Sequence, residues 1–294
     1  MALQASHEGF TQLEVFTPGV TTPPLPVSDS GSPSMDPIQI LNIDGLGPVN
    51  ANVNTTQYGS IDGEYYSGSN VGKRNIVLTI GLNADWVNQT IADLRRILYS
   101  YFIPTTQVKL RFTSTHMAQV EIIGYVETCE PSIFSRDTEM QVSIICPQPY
   151  FKAVSPTETS GQTAALTDSS TVEIVYEGDI AAGFVLDVFS SGTDPVLSDG
   201  DEVRVLSNTP SPQLLSVTVP GVDSTKQFRL STVEGDKFIQ SVPIPEDVAT
   251  SLLGKLAPGS VWIKLQKGSN QVQVTASRAY LEWSMSYNAL YGGL

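Results

Sequence analysis

The sequence predicts a mainly β protein of two domains: an amino-terminal β-sandwich or barrel-like domain with one packed α-helix, then a second antiparallel β-sandwich. Three observations lead there. At about 150 residues per domain, 294 residues suggest two domains with surface enough for two cores. Charged residues make up only 16%, below the roughly 25% typical of soluble domains, while 40% are apolar and the rest is rich in Ser, Thr, Gly and Asn. Apolar residues recur mostly with the period of a strand, and one stretch recurs with the period of a helix.

In the first half, residues 108–112 (VKLRF), 120–126 and 140–146 (MQVSIIC) alternate apolar and polar side chains, as half-buried strands do. Ile76, Leu78, Ile80 and Leu82 form a fourth stripe. Residues 90–102 (TIADLRRILYSYF) instead place Ile91, Leu94, Leu98 and Tyr101 on one helical face. Thr90 and Asp93 fit the capping-box spacing at its start, and Pro104 stops it. One helix among strands will pack across a sheet.

The second half reads as short strands at 172–176, 184–189, 203–206, 214–219, 228–230, 261–265, 272–274 and 281–287. Turns fall at 198–201 (SDGD), 234–236 (EGD) and 267–270 (KGSN), where Gly or Asn accepts positive φ at little steric cost. Residues 246–253 hint at a short helix. Residues 155–170 (SPTETSGQTAALTDSS) have little to bury and read as the linker between a domain at 1–154 and one at 171–294. The proline-rich stretch 17–37 reads as an exposed arm or loop inserted in the first domain. Its Pro23 and Pro26 have PxxP spacing, yet without flanking basic residues they describe a stiff spacer better than a docking motif.

Charge and segments exclude several classes. Sixteen basic against 30 acidic residues give 16 − 30 = −14, which disfavours partners held by phosphates or anionic lipid. The opening MALQASHEGF lacks a basic region followed by an apolar one, and no stretch is long enough to span a bilayer, so the expectation is a protein made and assembled in a cytoplasm without membrane insertion. Cys129 and Cys146 are too few for a disulfide framework. On a hairpin turning near Phe134 and Ser135, Cys146 would face Ile123, roughly 20 Å from Cys129, so both read as reduced, buried and small.

Reactive chemistry finds little support. His7 and His116 are the only histidines, and no nucleophile elbow, dinucleotide loop, phosphate-binding loop or HExxH helix occurs. Glu127 and Glu130 flank Cys129, and Asp199, Asp201 and Glu202 crowd one turn, but strand-end and turn roles explain both groups better than a glycosidase pair or a calcium loop. Asn54 and Asn88 head glycosylation sequons that carry no meaning without secretion. The expectation is therefore no enzyme, no catalytic residue, no metal and no cofactor. The Gly-rich stretch 57–72 (QYGSIDGEYYSGSNVG) stands apart, because Tyr58, Tyr65 and Tyr66 precede a strongly patterned strand, and tyrosines in such a loop favour a contact surface.

Taken in order, IDGLG at 43–47, IDGEYY at 61–66, GKRNIVL at 72–78, the helix ending LRRILYSYFIP, the strand at 108–112, GYVETCEPSIFS and SIICPQPYF resemble the amino-terminal domain of the distal tail (Dit) proteins of long-tailed, siphovirus-type bacteriophages. LSDGDEV at 197–203, PGSVW at 258–262 and KGSN at 267–270, with a tyrosine-rich final strand, are similar to that family's galectin-like sandwich domain. The resemblance implies a structural virion protein at the distal end of the tail, forming a ring of six copies. That ring would meet the tail tube protein and the tape-measure protein, and carry the tip or baseplate hub with its receptor-binding proteins. It also implies that residues 57–72 are a belt-like arm reaching the neighbouring subunit, which makes Tyr58, Asp62, Gly63, Tyr65, Tyr66, Asn70, Lys73 and Arg74 candidate interface residues. Genome DNA would be cargo only, and an anionic wall would let it pass without sticking. A cyclic ring also covers sheet edges through one repeated contact.

Two other readings compete. A sandwich of this kind could hold sugar on the host surface by stacking it on Trp262 or Trp283, but both alternate with polar neighbours as core residues do. A tail glycosidase using Glu127 and Glu130 comes third.

Overall fold

The computed structural model describes residues 10–17, 20–21, 25–26, 37–59, 62–84, 89–114, 117–132, 138–163, 170–189, 200–208, 211–219, 221–222, 225–244, 248–276 and 281–294. Among the described residues almost all regular structure is β, with a single α-helix. The chain divides into two compact units: Met1–Val154 together with Tyr291–Leu294, and Ser155–Leu290.

The first unit contains β1 (Phe10–Thr17), β2 (Val20–Thr21), β3 (Leu25–Pro26), β4 (Ile38–Asp44), β5 (Ala51–Thr56), β6 (Tyr65–Val71), β7 (Arg74–Leu82), α1 (Ile91–Tyr101), β8 (Gln107–Ser114), β9 (Val120–Pro131), β10 (Glu139–Cys146) and β11 (Phe151–Ala153). Its main sheet runs β2-β1-β8-β9-β10-β7-β4 in antiparallel pairs, and β11 adds to β9. The inward residues of the four predicted stripes, from Ile76 on β7 to Ile144 on β10, form one buried cluster with Leu94 and Leu98 of α1. The helix touches both β1 and β7, near opposite margins of the sheet, because the sheet curls around it. Thr17 fastens one margin, donating its hydroxyl to the Tyr101 carbonyl at 2.9 Å.

The helix starts as the sequence predicts: Thr90 Oγ1 accepts from the Asp93 amide, and the Asp93 carboxylate accepts the Thr90 amide. The Thr90 hydroxyl holds the Asp93 carboxyl below its ordinary pKa. At the other end Phe102 leaves helical geometry two residues before Pro104, and Thr105 turns the chain at φ 73°.

The second unit contains β12 (Thr157–Thr163), β13 (Ser170–Tyr176), β14 (Val185–Phe189), β15 (Glu202–Ser207), β16 (Gln213–Thr218), β17 (Lys226–Ser231), β18 (Phe238–Pro243), β19 (Thr250–Ser251), a 3-10 turn (Leu253–Lys255), β20 (Gly268–Ala276) and β21 (Leu281–Tyr287). Sheets of order β12-β21-β14-β17-β18-β19 and β13-β20-β15-β16 share one core around Trp283, Phe184 and Phe228, which is a sandwich. The closing strand β22 (Leu290–Tyr291) pairs with β11.

Several sequence expectations need correction. Residues 157–163, read as linker, are strand β12, paired with β21 from Thr157↔Tyr287 to Thr163↔Leu281; an edge strand takes its order from its neighbour's backbone and needs no apolar stripe of its own. The described parts of the proline-rich stretch do not project, since β2 and β3 fold back along β1. The remainder of that stretch, His7, His116 and Asp199 lie outside the described residues. The short helix expected at 246–253 is instead β19 and the 3-10 turn, and the strand expected at 261–265 is irregular apart from the bridge Ala182↔Leu265. The β9–β10 hairpin turns later than expected, pairing Met140 with Pro131; even after a register shift between Ser143 and Ile144, Ile145 lies opposite Tyr125 and Cys146 beside Gly124 rather than Ile123. Both cysteines are free: Cys146 is buried, and Cys129 is only half-buried beside Met140.

Candidate subunit interface

Among the described residues, strands β5 and β6 pair only with each other, from Ala51↔Val71 to Thr56↔Tyr65, and belong to no larger sheet. Their sequences, ANVNTT and YYSGSNV, carry no apolar stripe, and every residue of the pair is exposed save half-buried Gly68. The pair is held by its ladder and by side-chain bonds across it: Thr55 donates to the Glu64 carboxylate, Thr56 and Ser67 share a hydroxyl bond of 2.8 Å, and Tyr66 and Ser69 one of 2.7 Å. A lone two-stranded hairpin is at best marginally stable in water. This one keeps Tyr58, Tyr65 and Tyr66 56%, 61% and 65% exposed.

The fold gathers most of the predicted interface residues on this element. Tyr58, Asp62, Gly63, Glu64 and Tyr65 line an open cleft of about 220 Å³ at its tip, where Gly63 takes φ 99°. Asn70 lies exposed on β6 opposite Asn52, and Lys73 lies exposed between β6 and β7. The hairpin is also longer than 57–72. It begins at Ala51, because β5 has only Val53 to mark it in the sequence and its order comes from pairing with β6.

Arg74 does not belong to that surface. Its side chain is 2% exposed and donates from Nε to the Pro149 carbonyl (2.7 Å), from Nη1 to Gly45 (2.5 Å) and Gly47 (2.6 Å), and from Nη2 to Gly292 (2.6 Å). Its guanidinium lies 4.5 Å from the centroid of the Phe151 ring. Burial lowers the Arg74 pKa from its ordinary value, with the neighbouring Cys146 acting the other way. The planar fork reaches several carbonyls at once, which is what makes a buried arginine tolerable here. Gly45 fits only as glycine: its φ is 89°, and a Cβ would fall 2.0 Å from the Asn75 carbonyl oxygen.

The remaining candidates stand in ordinary structural settings. Trp283 is fully buried in the second core, and half-buried Trp262 has the Lys237 ammonium 5.7 Å from its ring centroid. Glu127 sits at the register shift and accepts from Ser143 at 2.9 Å, while Glu130 lines a separate open cleft with Glu139. Glu202 binds Arg204 and Ser216, whose hydrogen bonds hold its carboxyl below the usual range. Among the described residues no three His, Cys, Asp or Glu side chains gather as a metal site, and no described helix is long and apolar enough to cross a membrane.

A family model described as the phage tail protein RIFT-related domain matches residues 31–122, which span β4, the β5–β6 hairpin, β7, α1 and β8. The wider chain has the Dit fold: it aligns with the crystal structure of SPP1 Dit, described as a paradigm of the hub adsorption apparatus in phages infecting Gram-positive hosts, at a TM-score of 0.63 and 13% identity over 95% of this chain and 98% of that one. A chain of the phage P2 baseplate in its activated conformation with Ca aligns at a TM-score of 0.46 and 12% identity, over 94% and 97%. No curated protein sequence matches. Residues 31–122 thus resemble a domain of phage tail proteins.

Proposed function

We propose that this phage tail protein is the structural hub at the distal end of the tail, where six identical copies close into a ring. The tail tube and tape-measure proteins lie on one side of that ring, and the tip or baseplate with its receptor-binding proteins on the other. The observation that carries the reading is the β5–β6 hairpin, a two-stranded element exposed at every residue but Gly68, with three exposed tyrosines and no core of its own. Such an element gains stability by lying on a neighbouring protein, and tyrosine supplies large contact area at low conformational cost. A heterologous contact repeated around a ring meets that need with one surface and one partner type. The RIFT-related domain match and the likeness to the SPP1 Dit fold support the same place in the tail.

The test is assembly. Light-scattering mass and negative-stain images of the purified chain should give a closed ring, and Tyr65→Ala/Tyr66→Ala should move the population toward single protomers of unchanged melting temperature. A wild-type chain that stays monomeric at high concentration rejects the ring.

A further inference from the structure

The hairpin and the second unit are far apart in sequence, yet their attachments meet at one side chain. Gly45 and Gly47 lie on the segment that leads into β5, and Arg74 itself begins β7 three residues after β6 ends. Pro149 precedes β11, the last strand before the chain leaves for the second unit, and Gly292 follows β22, where it returns. All four carbonyls accept from the one buried guanidinium, and Phe151 of β11 packs on its face. Around this point the returning segment is seated closely: the Leu294 amide donates to Leu46 at 2.9 Å, Tyr291 and Leu294 pack on the first core, and a Cβ at Gly293 would lie 2.9 Å from the Pro48 ring.

We infer that Arg74 is a positioning residue that clasps the root of the hairpin to both tethers of the second unit, so that fixing the arm also stiffens the tethers. The functional value of the clasp rests on the arm reading above; the clasp itself does not. Four directed bonds from one rigid group to separate segments make their local openings interdependent, because releasing any one segment leaves a buried donor without its acceptor. Lysine cannot replace it, since an ammonium presents a single point of donation instead of a spanning fork.

Hydrogen exchange on the full chain, dilute enough to be monomeric, reads this directly. In Arg74→Lys, exchange should quicken on the order of tenfold both at the Leu294 amide and at Ala51 and Val71, while residues 76–82 keep wild-type protection. Deleting residues 292–294 probes the clasp from its other end and should quicken exchange at Ala51 and Val71. Loosening at one site alone, an unchanged hairpin root after the deletion, or loss of protection through 76–82 in both variants would overturn the clasp. The expected exchange pattern in a chain that forms no ring would keep the clasp and reject only the arm's docking role.

Discussion

Tyr58 and Tyr65 meet edge to face across the hairpin tip, ring centroids 5.2 Å apart at 90°, while each stays more than half exposed. Paired aromatics of this geometry add about 0.5–1.5 kcal/mol beyond their burial. Here they stiffen the hairpin tip without covering it, so a contact made there would lose less order.

Truncating the arm's tyrosines should therefore separate folding from assembly. Tyr65→Ala/Tyr66→Ala removes the ring contact with Tyr58, which loosens the hairpin tip locally by about 0.5–1.5 kcal/mol and leaves the first core and its melting temperature in place, while the ring population falls. Calorimetry and light scattering on the same sample check both halves. Equal loss of melting temperature and assembly would place these rings in the monomer's own core.

Leu94 is fully buried on the inner face of α1. Leu94→Ala should cost on the order of 2–5 kcal/mol, read by denaturant unfolding of the full chain, with the first unit's transition moving and any ring lost with it.

Gly161 lies on β12 opposite Trp283, and a Cβ there would come 2.6 Å from the indole Cζ2. Gly161→Val should displace the indole or detach the edge strand, costing about 1–3 kcal/mol. The second unit's melting should drop while exchange protection in the first unit is unchanged.

Burial pushes the Cys146 thiol up to about 12, against the pull of Arg74, and Cys129 to about 11. A raised folded-state pKa means the folded chain keeps a proton that the unfolded chain releases. Stability from this source is complete below pH 9 and declines as pH rises from 9 toward 12. Cys146→Ala should flatten the alkaline slope of unfolding free energy over that window. An identical slope would assign the loss to other groups. Near pH 8 a thiol reagent should label Cys146 only after unfolding, which mass spectrometry reads directly.

Legibility in the sequence followed burial. Strands β7, β8, β9 and β10 each put one face in the core, and their alternation was plain, as was the helix with its Thr90 and Asp93 cap. Strands β5 and β12 bury no face of their own. ANVNTT and TETSGQT owe their order to the backbones beside them, which leaves 51–56 without a strand pattern and makes 157–163 read as linker. The tyrosines marked the arm because exposed aromatics are visible in composition. Arg74 was misplaced for the opposite reason: a cation next to an exposed Lys73 looks like surface, and its acceptors are carbonyls that no side-chain pattern announces. The nearest sequence signal was the cluster of Gly45, Gly47 and Gly292, residues that let backbone come close.

Strand β22 lies against β11, so the polypeptide leaves the first unit and re-enters it side by side. The second unit is in this sense an insert between the two segments of the first. Excising 155–290 and joining the flanks by a few flexible residues should keep the first unit's strand order intact, and a different insert could take the same place without redesign of that unit.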